Sequence, residues 1–126
     1  MINVIIVDDD PDSIETIATV LWRSKLEVNI DKFTDPFLAL RHTFEVKPDL
    51  VIVDFMMPKM DGIVLLREMR KIGVGAKAII MSGYTTDYMP KLLPSNNVLA
   101  VLKKPVCFDE LVLLAGQVKR RELATG

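Results

Sequence analysis

The chain has one cysteine, one histidine and no long apolar run. The single cysteine, Cys107, excludes an internal disulfide and suits a reducing cytoplasm. The lone histidine, His42, has no metal-ligating partner at a useful spacing and reads as a surface residue. The first apolar stretch, Val4 to Val7, stops at three aspartates and is too short and wrongly flanked for a signal peptide or membrane span. Neither charge is in excess: 16 lysines and arginines face 17 aspartates and glutamates, so nothing calls for nucleic acid or an anionic membrane. Repeats, low-complexity tracts and linkers are missing too. What remains is 126 residues, 50% hydrophobic and 26% charged. That is one domain by length, able to bury roughly two-thirds of the surface its unfolded chain exposes.

The clearest pattern is the stretch from Leu50 to Gly62. Leu50-Val51-Ile52-Val53 reads as a buried strand running straight into Asp54. Pro58 blocks an immediate helix, and Asp61-Gly62 opens a segment with Ile63, Leu65, Leu66 and Met69 on one side, closed by Gly73 as a C′ glycine. On this stretch alone Asp54 reads equally well as a turn cap. The rest of the chain alternates the same two periods. Val4–Val7 is a strand, and Asp10-Pro11 caps a helix with Ile14, Ile17, Ala18, Leu21 and Trp22 on one face. Leu26, Val28 and Ile30 alternate as a half-exposed strand, with Asp31 and Lys32 facing out or turning. Asp35-Pro36 begins a helix with Phe37, Leu40 and Phe44 inward, ended by Lys47-Pro48. Ala78–Met81 and Val98–Leu102 are further strands, and Leu111, Val112, Ala115 and Val118 mark the last helix.

Five such βα units predict an α/β fold, a doubly wound five-stranded parallel sheet with helices on both faces. Spacing does not set the strand order. The flavodoxin-like order 2-1-3-4-5, one of two common solutions, puts the ends of the first and third strands side by side. Asp8 and Asp9 then converge on Asp54. Two carboxylates about 4 Å apart repel by roughly 4 kcal/mol at an effective dielectric near 20. That arrangement calls for a cation, and hard oxygen ligands favour Mg²⁺. Asp10 is explained as the helix cap. The fourth strand ends in Ser82-Gly83 and the fifth in Lys103-Lys104-Pro105, adding a hydroxyl and a cation at the same edge. Together these groups form a clamp for phosphoryl transfer with Asp54 as nucleophile.

With these residues in place, the sequence resembles the receiver domain of two-component response regulators over essentially its whole length. The run Asp54-x-x-Met57-Pro58-x-Met60-Asp61-Gly62 is highly specific for that family. The resemblance implies that Asp8 and Asp9 bind Mg²⁺ (Mn²⁺ substituting) together with Asp54 and the backbone carbonyl of Met56. It makes Asp54 the phosphoacceptor, Ser82 the hydroxyl switch residue and Lys104 the phosphate-binding lysine, with a cis bond to Pro105. The expected function is a cytoplasmic signalling switch, phosphorylated by a histidine kinase or phosphotransfer protein and read by a downstream protein or output domain. Such a domain catalyses its own phosphorylation and dephosphorylation and is otherwise not an enzyme; phosphorylation-dependent dimers also occur in receivers. Residues 1–126 are then a single receiver domain, standing alone or cut from a longer protein near residues 120–126. Met56 and Tyr84 stand where receivers place bulky groups beside the path of hydrolytic water, so the acyl phosphate should be long-lived.

Three departures accompany the resemblance. Val101 occupies the position where receivers commonly carry an aromatic rotamer switch, and Gly83 follows the hydroxyl where alanine is usual. A helix is implied over Thr86 to about Asn96, yet Pro90 and Pro94 require it to be short or irregular. Phosphorylation is therefore expected to act by reordering residues 85–97. Two rival readings compete with this one. A haloacid-dehalogenase-like phosphatase would use Asp8 as nucleophile, with Asp10, Ser82 and Lys104 beside it, but its downstream acidic motif is missing and Asp54 is left idle. A docking-only pseudo-receiver leaves the full acid set without a purpose.

Overall fold

The structure, a computed structural model, describes residues 1–83 and 97–119. Among these are strands β1 (Ile2–Val7), β2 (Val28–Phe33), β3 (Leu50–Asp54), β4 (Lys77–Ser82) and β5 (Val98–Lys103). The described helices are α1 (Pro11–Arg23), α2 (Pro36–His42), α3 (Gly62–Lys71) and α4 (Phe108–Gly116). The strands form one parallel sheet in the order β2-β1-β3-β4-β5. The flavodoxin-like order expected from the sequence is the one observed.

The uninterrupted apolar strands have a simple cause: both sheet faces are covered, so successive side chains enter two different cores. Ile5, Val7, Val51, Val53, Ala78 and Ile80 pack with Ala39 of α2 and with Ile63, Leu65, Leu66 and Met69 of α3. Val4, Ile6, Leu50, Ile52, Ile79 and Met81 pack with Ile14, Ile17, Ala18 and Leu21 of α1 and with Leu111 and Ala115 of α4. Truncating one of the fully buried Leu or Ile side chains to Ala would cost about 2–5 kcal/mol.

Capping follows the sequence closely. Asp10, Asp35 and Asp61 are the N-caps of α1, α2 and α3, accepting from the backbone N–H of Asp12, Phe37 and Val64 respectively. Gly73, at φ 86°, occupies the left-handed position after α3, where a side chain would be strained.

Several expectations are corrected. Trp22 does not join the buried face of α1 and is 80% exposed. Leu21 takes the inward position, and the next residue is rotated by about 100° around the helix. Asp31 and Lys32 do not turn the chain but lie inside β2, which continues to Phe33, with Lys32 exposed as expected. Helix α2 ends at His42, well short of Lys47, and its inward side runs through Pro36, Ala39 and the following Thr43; Phe37 and Phe44 are exposed. His42 is half-buried, its Nε2 3.0 Å from Asp31 and its ring centroid 5.2 Å from that of Phe33. Val118 lies past the end of α4. The expected helix over residues 86–96, with Pro90 and Pro94, lies outside the described residues, as do Tyr84 and residues 120–126.

Candidate functional site

The sheet register sets the site. Val7 lies opposite Val53, so the residues that follow, Asp8 and Asp54, leave the sheet next to each other. Asp54 is opposite Met81, and Ser82 is opposite Lys103. The carboxyl ends of β1, β3, β4 and β5 thus bring together Asp8, Asp54, Ser82 and Lys104. These strand ends lie at the switch point where open α/β sheets place ligand chemistry.

Asp8, Asp9 and Asp54 each offer one carboxylate oxygen within 4.8 Å of the others, with Asp8 and Asp54 buried and Asp9 exposed. Asp8 Oδ1 accepts the Asp10 N–H at 2.9 Å. The ammonium of Lys104 stands between the two buried acids, 3.3 Å from Asp8 Oδ2 and 3.2 Å from Asp54 Oδ1. Burial pushes the Asp8 carboxyl above its ordinary range; the Asp10 amide pulls it down, and the Asp54 charge adds to the rise. For Lys104, burial favours the neutral amine, but the charges of Asp8 and Asp54 outweigh it and raise the pKa. One lysine against three carboxylates leaves the pocket net negative. Three clustered hard-oxygen donors, one of them open to solvent, fit a divalent cation such as Mg²⁺.

Backbone contacts hold these groups in place. Lys104 N–H donates to the Ser82 carbonyl at 2.7 Å and Phe55 N–H to the Met81 carbonyl at 2.8 Å. Gly62 N–H donates to the Phe55 carbonyl at 2.8 Å, which draws the start of α3 against the end of β3. A Cβ on Gly62 would lie 2.6 Å from the Asp54 carbonyl oxygen, so only glycine fits this approach. The peptide bond between Lys104 and Pro105 is cis, as the resemblance implied. Ser82 is fully buried, and Met56 stands in the loop after β3 and is 53% exposed.

One element escaped the sequence. Lys59, at φ 74°, forms the centre of a tight turn closed by the Met60 N–H donating to the Pro58 carbonyl at 2.9 Å. Its ammonium reaches Asp35 at 2.8 Å, tying this loop to the N-cap of α2. The only advance signal was the pairing of a cap aspartate with a lysine in a Pro-x-Met loop, 24 residues apart. Val101 is partly buried against the core that contains α3, with no aromatic at that position. Cys107 is the exposed N-cap of α4 and makes no side-chain capping bond.

Fold and site together define a doubly wound α/β domain with an acidic, lysine-bridged pocket at its switch point. The family model of the response regulator receiver domain matches residues 4–115, and the chain belongs to that family. It is 32% identical over 108 residues to a response regulator receiver protein of Anaeromyxobacter sp. (strain Fw109-5), covering 86% of this chain and 44% of that protein. It is also 32% identical over 89 residues to the DNA-binding transcriptional activator EvgA of Escherichia coli (strain K12), covering 71% of this chain and 43% of the relative. The chain thus spans less than half the length of these curated relatives. Among solved structures, the receiver domain of the Francisella response regulator 1452 superimposes with a TM-score of 0.80 at 28% identity, covering 92% of this chain and 94% of that one. Among the described residues no helix is long and apolar enough to cross a membrane.

Proposed function

We infer that this receiver domain is a phosphorylation switch in which Asp54 accepts a phosphoryl group from the phosphohistidine of a kinase or phosphotransfer protein. The observation that carries the reading is Lys104, whose ammonium lies within 3.3 Å of both buried carboxylates. A carboxylate oxygen of Asp54 attacks phosphorus, the phosphorus–nitrogen bond breaks, and the imidazole leaves with a proton. The Lys104 ammonium then pairs with the new phosphoryl oxygens, and the Ser82 hydroxyl donates to one of them. Asp8, Asp9, Asp54 and the Met56 carbonyl are the residues that would hold Mg²⁺. When bound, the ion supplies positive charge that offsets the acids and the incoming phosphoryl group. The downstream reader is a protein or an attached output domain, and the setting is the cytoplasm.

The test is intact-mass analysis after incubation with acetyl phosphate or phosphoramidate, with Mg²⁺ and with excess chelator. One phosphoryl addition is expected, dependent on Mg²⁺ or Mn²⁺ and lost in Asp54→Asn. Equal labelling of that variant, or full labelling under chelator, overturns the reading. A label mapped to Asp8 would support the phosphatase-like alternative instead.

A further inference from the structure

Strand β2 is an edge of the sheet, and it runs from Val28 to Phe33 without proline or register shift. Its backbone has a definite polarity. Ile2 N–H donates to the Glu27 carbonyl and Asp8 N–H to the Phe33 carbonyl, both at 3.1 Å, so the odd-numbered residues turn their backbone groups towards β1. In a parallel pair the alternate residues, Val28, Ile30 and Lys32, then face the open edge. The side chains of the same three residues line a groove of about 320 Å³ whose other wall is Glu15, Ala18, Thr19 and Trp22 of α1. An open strand edge therefore lies beside an indole that is 80% exposed. Edges of this kind are templates for another strand.

We propose that this edge pairs with the same edge of a second copy of the chain, the two β2 strands running antiparallel about a two-fold axis at Ile30. The polarity requires the two-fold axis to pass through a residue and not between two. Backbone groups that face outward must meet outward-facing ones, and side chains directly opposite must lie on the same face. Centring on Ile30 meets both conditions, setting Ile30 against Ile30 and Val28 against Lys32 of the second copy, with about six backbone hydrogen bonds. Centring on Asp31 would instead set two carboxylates against each other.

The chosen register is also complementary in side-chain chemistry. Trp22 and Val28 both line the groove, and Val28 opposes Lys32 of the second copy, so that ammonium would enter the groove holding the indole, the setting of a cation–π contact. Lys32 is held 2.9 Å from Glu15 of its own α1, which keeps its ammonium on the helix side of the sheet. On the opposite face Asn29 comes against Asp31 of the second copy, an amide donor facing a carboxylate. The two sheets would join into one across the edge strands, on the opposite side of the sheet from β5.

Sedimentation of the 126-residue chain from about 10 μM to about 1 mM, the range of weak self-association, reads the dimer. A concentration-dependent dimer is expected, and Trp22→Ala and Ile30→Lys should each weaken it at least about ten-fold. Both changes lie outside the fully buried core, so thermal unfolding of dilute protein serves as the folding control. Register is read by single-cysteine cross-linking in a Cys107→Ser background. Ile30→Cys should cross-link to its own copy far better than Val28→Cys or Lys32→Cys, because only residue 30 faces itself. A monomer throughout the range, a dimer indifferent to both edge variants, or equal cross-linking at the three positions would overturn the proposal.

Discussion

Gly62 stands against the carbonyl of Asp54 so closely that a β-carbon there would fall 2.6 Å from the oxygen. The oxygen belongs to backbone and a β-carbon is fixed by the backbone that bears it, so neither can turn aside as a side-chain tip would. Gly62→Ala should therefore push α3 off the end of β3 at a cost of about 1–3 kcal/mol. At roughly 3–5 °C per kcal/mol for a domain of this size, calorimetry will resolve the drop. Labelling of Asp54 should slow in the same variant. An unchanged melting temperature would mean that the approach relaxes at no cost.

Asp8 is fully buried and its carboxyl titrates above the ordinary value of 3.8. A carboxyl whose folded pKa is raised holds its proton more tightly in the native state. The resulting penalty is absent below about pH 3.8, grows as pH rises and is complete above the folded pKa. In metal-free buffer at pH 7, Asp8→Asn should match or exceed wild type in denaturant midpoint, and the difference should vanish in acid. Added Mg²⁺ should stabilise wild type and leave the variant almost unmoved.

Lys104 carries the opposite sign. Its pKa lies above the ordinary 10.5, so its contribution is complete below that pH and is lost as pH rises through the folded value. Lys104→Met removes the cation that Asp8 and Asp54 share. Metal-free urea unfolding at pH 7 should show a loss of about 1–3 kcal/mol, smaller when Mg²⁺ is present. Phosphorylation should fall far more steeply than stability.

The bond between Asp35 and Lys59 holds the Asp35 carboxyl below its ordinary range, first through the Lys59 contact and next through the Phe37 amide. Stability from a lowered acid is present above about pH 3.8 and fades as pH falls through the folded value. Asp35→Asn keeps a competent cap and loses the ion pair, so its deficit should be small, salt-sensitive and confined to pH above the acid range. Asp35→Ala loses the cap as well and should melt clearly lower than Asp35→Asn at every pH tested.

Met56 stands in the loop after the proposed phosphoacceptor and brings no group able to orient a water. Met56→Asn places an amide there and should shorten the lifetime of the phosphorylated protein several-fold. The decay is followed by intact mass after removal of the phosphodonor. An unchanged lifetime would remove Met56 from any shielding role.

The sheet was legible in the chain because β1, β3 and β4 each carry a run of four apolar residues and each described helix except α4 opens on a capping aspartate. Asp8, Asp54, Ser82 and Lys104 could be read together for a topological reason: each follows or ends a strand of one sheet, so parallel strands bring them to one edge. The errors came where burial is partial. Trp22, Phe37 and Phe44 are large and apolar, and periodicity alone assigned them inward, yet smaller neighbours fill those positions. His42 and Asp31 look like separate surface groups in sequence because their meeting depends on how α2 lies along β2. The bond from Lys59 to Asp35 joins two loops and has no periodic signature.

The buried Asp8 bears on how this domain can be improved. Its carboxyl is a liability to the empty fold, so selection for heat resistance alone would favour chains in which it has been neutralised. A hardened variant obtained that way would lack one of the three carboxylates of the candidate cation site. Any stabilisation campaign on this scaffold therefore has to screen for the proposed phosphoryl acceptance alongside melting temperature, because on that reading the two pull the same side chain in opposite directions.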